Sequence, residues 1–400
     1  MNNAFRSTIA ARVLATYAVQ IQAVILGIQV YQLTHDAFDL GLIGLAEALP
    51  ALSLALFAGH WVDRSYPVWT YRMVITLSMT SIATSLFATS LFQLFASAVI
   101  TGIARSFAAP SIQTIVARVV TRDQMSKSAA WLTIANRLAL AVGPACAGIF
   151  FAWKGQSFAY SVALGASTLA FLSTFGIPSL IPNQKQNTQN ESIWTSLKEG
   201  LSYVFKHPYL LPAFSLDMFS VLFGGVVAIL PAFASEVLHT NEVGLGFLRA
   251  SPAIGAVLAS AYLTQKPIEV GAGKILFRVM AGYGLCTLVF ACSRSLILSC
   301  GVLFLSGIFD SINMVIRGAI TQLCSPNAMR GRIASVNAMF IGSSNEIGAF
   351  ESGTAARLLG LVPSVFFGGS MTLLAVWLIY RWSPQMRTLN LKDLADQQAQ

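Results

Sequence analysis

Nine ionisable side chains sit inside stretches otherwise too apolar to hold them: Arg105, Arg137, Arg249 and Arg317, with Glu47, Asp217, Asp310, Glu346 and Glu351. An ionisable group within a bilayer is costly unless paired or wetted, so each marks a site. Asp310, Asn313, Met314 and Arg317 follow i, i+3, i+4, i+7 spacing, which places them on one helix face. The chemistry open to such residues is non-covalent: binding of a polar solute, and uptake and release of a proton. Burial raises a carboxyl pKa and a neighbouring arginine lowers it, so a contact made and broken with conformation can load and unload a proton. Asp310 is the first candidate for that acid and Asp217 the second. Glu346 is weaker, because it stands five residues from Glu351 and the two do not share a face. The competing reading of Asp310 with Arg105, and of Asp217 with Arg317, is a static ion pair locking two helices.

Elements that can position these groups must be membrane helices. The chain has 400 residues, 55% hydrophobic and only 10% charged, against about 25% charged in a soluble domain. Its 25 basic and 16 acidic residues cannot coat a water-facing surface, which excludes a soluble enzyme and predicts an integral membrane protein. Twelve apolar segments of spanning length can be drawn, near 13–33, 40–61, 73–91, 94–117, 129–152, 158–180, 210–234, 243–264, 275–292, 296–321, 333–356 and 360–380. A polar stretch opening with Asn-Gln-Lys-Gln-Asn-Thr-Gln-Asn (183–190) divides them six and six. The expected organisation is all-α: an N-terminal six-helix half (1–182), a cytoplasmic linker (183–208), a C-terminal six-helix half (209–381) and a cytoplasmic tail (382–400). The N-terminal run lacks a small-residue cleavage site, so the first helix is expected to be retained.

The basic residues orient this array. With the N-terminus in the cytoplasm, 18 Lys and Arg, Arg12 among them, fall on cytoplasmic segments, and three (Lys154, Arg294, Arg357) fall on the opposite side. The positive-inside rule then puts both termini in the cytoplasm. The net charge of +9 thus reports topology, and no nucleic-acid partner is expected. An internal repeat with an offset of about 202–205 residues aligns 44–51 with 246–253 and 101–106 with 306–311, the mark of a two-halved transporter. In this alignment Glu47 is equivalent to Arg249, and Arg105 to Asp310.

Several motifs carry a family resemblance. They are Gly-Ile-Gln-Val-Tyr-Gln-Leu-Thr (27–34), Gly-His-Trp-Val-Asp-Arg (59–64), Gly-Pro-Ala-Cys-Ala-Gly (143–148), Ile-Leu-Pro-Ala-Phe-Ala (229–234), Met-Arg-Gly-Arg-Ile-Ala-Ser-Val-Asn (329–337) and Asn-Glu-Ile-Gly-Ala-Phe-Glu-Ser-Gly (345–353). On them the chain resembles the major facilitator superfamily over essentially its full length, most of all its branch of siderophore (enterobactin) exporters and drug:proton antiporters. The resemblance implies twelve helices in two pseudo-symmetric halves, with helices 1, 4, 7 and 10 lining a central cavity. Cavity residues would then include Tyr17, Gln20, Gln22, Arg105, Asp217, Asn313 and Arg317. Asp63 and Arg64, in the turn between helices 2 and 3, would form a gating latch. Arg137 would meet Glu346 across the two halves, as a coupling contact or a structural salt bridge. Glu47, Arg249, Glu351 and Arg357 would serve outer-side gating or interdomain contacts, and Gly143 and Pro144 would allow close helix packing. Three departures stand out: Pro67 and Val68 replace the paired basic residues of the loop motif, Ala130 and Ala139 replace antiporter glycines, and Ala98 replaces a helix 4 arginine.

Absent motifs narrow the chemistry further. No G-x-x-x-x-G-K-S/T is present to hydrolyse ATP, and no H-E-x-x-H or nucleophile elbow is present for a membrane hydrolase. His35, His60, His207 and His239 do not cluster with Cys or Asp, so no metal or cofactor is expected and the proton gradient supplies the energy. Five cysteines without a C-x-x-C pair read as buried thiols. The expectation is therefore a monomeric secondary transporter of the bacterial inner membrane, exporting an amphipathic small molecule by proton antiport. Alternatives are an importer or facilitator of a small organic anion, a metal-ion exporter, and a transport-inactive receptor.

Overall fold

A computed structural model describes residues 3–121, 124–181, 193–326 and 329–399. Among the described residues every regular element is a helix: α1 (Asn3–Thr34), α2 (Ala37–Arg64), α3 (Pro67–Leu86), α4 (Leu91–Val119), α5 (Met125–Ser173), α6 (Ile193–Lys206), α7 (Leu210–Gly224), α8 (Leu230–Glu236), α9 (Glu242–Gln265), α10 (Ala272–Cys292), α11 (Leu296–Leu323), α12 (Arg330–Leu359), α13 (Leu361–Trp382), α14 (Pro384–Arg387) and α15 (Leu391–Ala399). Local sequence sets their ends. Asp36 caps α2 by accepting from the Phe38 N–H at 2.9 Å, and Ser90 with Gln93 forms a capping box at the start of α4. Pro67 opens α3, where a missing N–H costs nothing. Gly360, at φ +91°, separates α12 from α13 in a backbone region that favours glycine.

Nine described helices or helix pairs are long and apolar enough to cross a membrane. One of them, α5, is broken at Lys154 and at Gly155, whose φ is 78°, and so makes two crossings. The less apolar α3 (20 residues) and α12 (30 residues) are also of spanning length, since about 20 residues cross the hydrocarbon core. Counted in this way, the described helices are consistent with the twelve crossings expected. The cysteines are free, and Cys292 is exposed where a buried thiol was expected.

The chain forms two compact units: Met1–Thr188 with Leu230–Ala250, and Gln189–Ile229 with Ser251–Gln400. The segment 230–250, which carries α8 and the first turns of α9, thus belongs to the first unit. Within it, the Tyr31 hydroxyl of α1 donates to the Glu236 carboxylate of α8. A side chain at Gly148 of α5 would lie 2.3 Å from the Glu242 carbonyl oxygen, so the start of α9 rests directly on the Gly-Pro motif helix.

The internal repeat is visible in how each unit packs. A Cβ at Gly102 of α4 would lie 2.0 Å from the Glu47 carbonyl oxygen of α2 and 2.7 Å from Pro50. A Cβ at the equivalent Gly307 of α11 would lie 2.0 Å from the carbonyl oxygen of Pro252 on α9. The same glycine in each half admits the same proline-bearing neighbour, so the 101–106/306–311 and 44–51/246–253 matches mark one contact made twice.

Candidate functional site

Helix α1 presents Arg12, Thr16 and Gln20 at i, i+4, i+8 spacing, one stripe on one face. That stripe forms one wall of a cavity of about 440 Å³ in the first unit, together with Glu47 of α2, Tyr71 of α3, Arg105 of α4 and Asn136 of α5. The volume lies within the range of roughly 300–1,000 Å³ usual for small-molecule sites. Arg105 Nη1 donates to Glu47 Oε1 at 2.5 Å, with side-chain exposures of 48% and 21%. Thr16 Oγ1 donates to Asn136 Oδ1 at 3.0 Å across α1 and α5. Small and aliphatic residues, among them Ala15, Val19, Ala23, Val74, Ala104 and Leu140, complete the lining. The pocket therefore combines an apolar body with charged and amide groups.

Arg249 approaches this cluster from the first turns of α9. Its guanidinium interacts electrostatically with Glu47, and it passes Gly27 of α1 so closely that a Cβ there would lie 3.2 Å from Nη2. Its Nε is buried without a hydrogen-bond partner among the described residues. Glu47 thus stands beside two arginines, Arg105 and Arg249, inside a single unit. The repeat alignment matched Glu47 with Arg249 by position; in the fold they are also neighbours.

A second polar cluster lies in the other unit and is sealed. Arg317 Nη1 of α11 lies 2.7 Å from Asp217 Oδ2 of α7, with both side chains 4% exposed. Asn313 Nδ2 donates to Asp217 Oδ1 at 2.6 Å, and Arg317 Nη1 donates to Asn337 Oδ1 of α12 at 3.2 Å. These bonds tie α7, α11 and α12 together. Met314 is exposed and Asp310 half-buried, so the four-residue face divides. A turn of 100° per residue puts Asn313 and Arg317 on one side of Asp310 and Met314 on the other. Asp310 interacts electrostatically with Tyr283 of α10.

The remaining candidates fall in varied settings. Gln22 is 2% exposed and donates to Ser81 Oγ at 2.7 Å, in a serine-rich seam between α1, α3 and α4 rather than on the cavity wall. Tyr17 is half-buried against Cys146 of α5. A Cβ at Gly143 would lie 2.7 Å from Gln20 Cβ, and the Pro144 carbonyl oxygen packs against Gly246, so this motif serves close helix approach. Arg64 is exposed in the last turn of α2. Arg137 is half-buried on α5, Glu351 half-buried on α12, and Arg357 exposed in the last turn of α12. The side chains of Asp63 and Glu346, and residues 182–192 of the linker, lie outside the described residues. Arg72 of α3, the late basic residue of the loop motif, donates to Thr174 Oγ1 at 2.9 Å and stacks on Phe175.

Sequence reasoning missed Arg12 and Tyr71. Arg12 was counted with the cytoplasmic flank, but α1 starts at Asn3 and carries Arg12 onto the cavity wall. Its signal was available in the Arg12, Thr16, Gln20 spacing. Tyr71, 1% exposed, had none, because one tyrosine in an apolar helix does not announce its neighbours. Among the described residues no group of three or more His, Cys, Asp or Glu could hold a metal.

A polytopic helical bundle, repeated in two halves and carrying a charged cavity, defines a membrane transporter. The chain matches the family description "Major Facilitator Superfamily" over residues 8–349, and it belongs to that superfamily. It is 21% identical over 376 residues to the enterobactin exporter EntS of Citrobacter koseri, spanning 92% of this chain and 88% of that protein. In fold it is similar to the nucleoside transporter NupG, with a TM-score of 0.73, 16% identity and coverage of 95% of this chain and 99% of that one. A POT family transporter in complex with 5-aminolevulinic acid gives a TM-score of 0.76 at 14% identity, covering 96% of both chains.

Proposed function

We propose that this chain exports an amphipathic small molecule, siderophore-like or drug-like, across the bacterial cytoplasmic membrane by alternating access and proton antiport. The observation that carries the reading is the Arg105–Glu47 pair, 2.5 Å long and partly exposed on the wall of a cavity lined mostly by apolar groups. A solute that lodges against the Arg105–Glu47 pair keeps the carboxylate ionised and excludes a proton. When the solute leaves, the carboxylate can part from the arginine and take a proton, which it gives up when the pair re-forms around the next solute. Such mutually exclusive binding is antiport. The likeness to enterobactin exporters supports the outward direction and the amphipathic cargo.

Glu47 is thereby the coupling acid of the first unit, and Asp310, half-buried on α11, is its counterpart in the second. Glu346 is a third coupling acid on sequence grounds. Asp217 is assigned a holding role, because Arg317 and Asn313 take both of its carboxylate oxygens. Arg249, Glu351 and Arg357 are assigned to gating, and Asp63 with Arg64 to a latch at the α2–α3 turn. Both termini lie in the cytoplasm, and the monomer is the working unit. A second reading, uptake of a small organic anion, is favoured by the two arginines of the cavity. Substrate accumulation in a deletion strain separates the two, using an iron-chelator panel beside common antibiotics. Export predicts that the cargo accumulates without the protein, and uptake predicts that it is depleted.

A further inference from the structure

The cavity of the first unit carries a charge that its own residues leave unanswered. Its single carboxylate, Glu47, is held by Arg105 at 2.5 Å. Arg12, on the same wall and half-buried, has no carboxylate partner among the described residues. Its guanidinium faces the phenol of Tyr71. Tyr71 lines the cavity, and its buried hydroxyl has no hydrogen-bond partner besides the Arg12 side chain among the described residues. Arg12 can only donate, so the proton of the buried hydroxyl still lacks an acceptor and forfeits its hydration, and a guanidinium in a low-dielectric wall attracts an oxyanion more strongly than in water. The two donors call for the same acceptor.

We propose that Arg12 and Tyr71 form an oxyanion subsite for the acidic head group of an amphipathic organic anion. The inference rests on the transport reading above and deepens it by naming the substrate's charge. The head group accepts hydrogen bonds from the Arg12 guanidinium and the Tyr71 hydroxyl. Its body lies along the aliphatic wall of Ala15, Val19, Val74 and Leu140. Arg105 and Glu47 line the same cavity, so the bound anion lies in the pocket that holds the coupling ion pair. Cargo recognition and proton exchange then meet in one pocket.

The test is equilibrium binding to the full chain in phosphatidylcholine nanodiscs. Three probes share one apolar body: naphthoate, neutral naphthylmethanol and naphthylmethylammonium. Wild type is expected to bind naphthoate about tenfold or more tightly than the ammonium probe, the worth of one charge-assisted hydrogen bond. Arg12→Gln should erase that preference while weakening naphthylmethanol far less than naphthoate, and an unchanged melting temperature reports an intact fold. Arg12→Lys should keep most of the preference, and Tyr71→Phe should weaken naphthoate by about threefold to tenfold. Equal binding of the three probes by wild type would overturn the subsite, as would naphthoate affinity untouched in both Arg12→Gln and Tyr71→Phe. Loss of naphthoate binding when phosphatidylglycerol replaces a third of the lipid would assign the site to a lipid head group and overturn the substrate assignment. Transport in proteoliposomes without anion preference removes the subsite and leaves the transport reading standing. Selective anion binding without transport does the reverse.

Discussion

Arg105 and Glu47 are joined at 2.5 Å while still partly exposed to the cavity they line. Arg317 and Asp217 are joined at 2.7 Å with both side chains almost wholly sealed. Two ion pairs of similar length therefore differ in access to solute. On the proposed reading the first exchanges partners, and the second holds helices together.

Breaking the sealed pair should unfold the second unit before it affects any transport step. Arg317→Ala or Asp217→Ala leaves an uncompensated buried charge, which costs about 3–5 kcal/mol. Replacing both, as Asp217→Leu with Arg317→Met, should recover most of that loss. Thermal melting in detergent checks this; single variants that melt like wild type would show that the pair is not holding α7 to α11.

The exposed pair should behave in the opposite way. Arg105→Ala is expected to change stability by no more than about 1 kcal/mol, the usual worth of a solvent-accessible ion pair, and Glu47→Gln by more, because it also removes the carboxylate beside buried Arg249. Both should nevertheless abolish solute-driven proton movement. Parallel melting curves and pH-dye recordings separate these effects.

Paired glycines allow a test of the repeat. Gly102→Ala and Gly307→Ala each drive a methyl to 2.0 Å from a backbone oxygen, an overpacking expected to cost about 1–3 kcal/mol at either site. Gly165 and Gly301 have nothing within 4 Å of the added methyl, and alanine there should be neutral or slightly stabilising. Similar losses at 102 and 307 with no loss at the controls would match a contact made twice.

His207 supplies a pH prediction outside the membrane spans. Its Nδ1 accepts from the N–H groups of Tyr209 and Leu210 at the start of α7, and burial lowers its pKa below 6.5. The folded chain thus favours the neutral ring. The stability this gives is fully present above 6.5 and is lost as pH falls from there through the lowered folded value. The melting temperature should drop over that window in wild type, and the drop should shrink in His207→Phe.

Much of this was legible in the sequence. Scarce charge identified the solvent, and glycine and proline positions identified the repeat. What the sequence could not supply was partnership between helices. Periodicity places Asn313 and Arg317 on one helix, but only packing shows that both turn to Asp217. Arg105 aligned with Asp310 by repeat position, yet its guanidinium is bonded to Glu47 of the adjacent α2, because equivalence between halves is not adjacency. Gln22 reads as a cavity residue by helix number and is instead drawn into a serine seam by Ser81. Arg12 hid among topogenic charges because α1, at 32 residues, runs well past the about 20 that cross a bilayer.

The central claim is antiport through the cavity of the first unit, and proteoliposomes test it most directly. Purified chain is reconstituted with a pH-sensitive dye inside, and the cargo found in the deletion strain is added outside at matched pH. Cargo movement should drive protons the opposite way, with Arg105→Ala and Glu47→Gln silent. Cargo flux that leaves the internal pH unchanged, or proton movement preserved in both variants, would contradict the account.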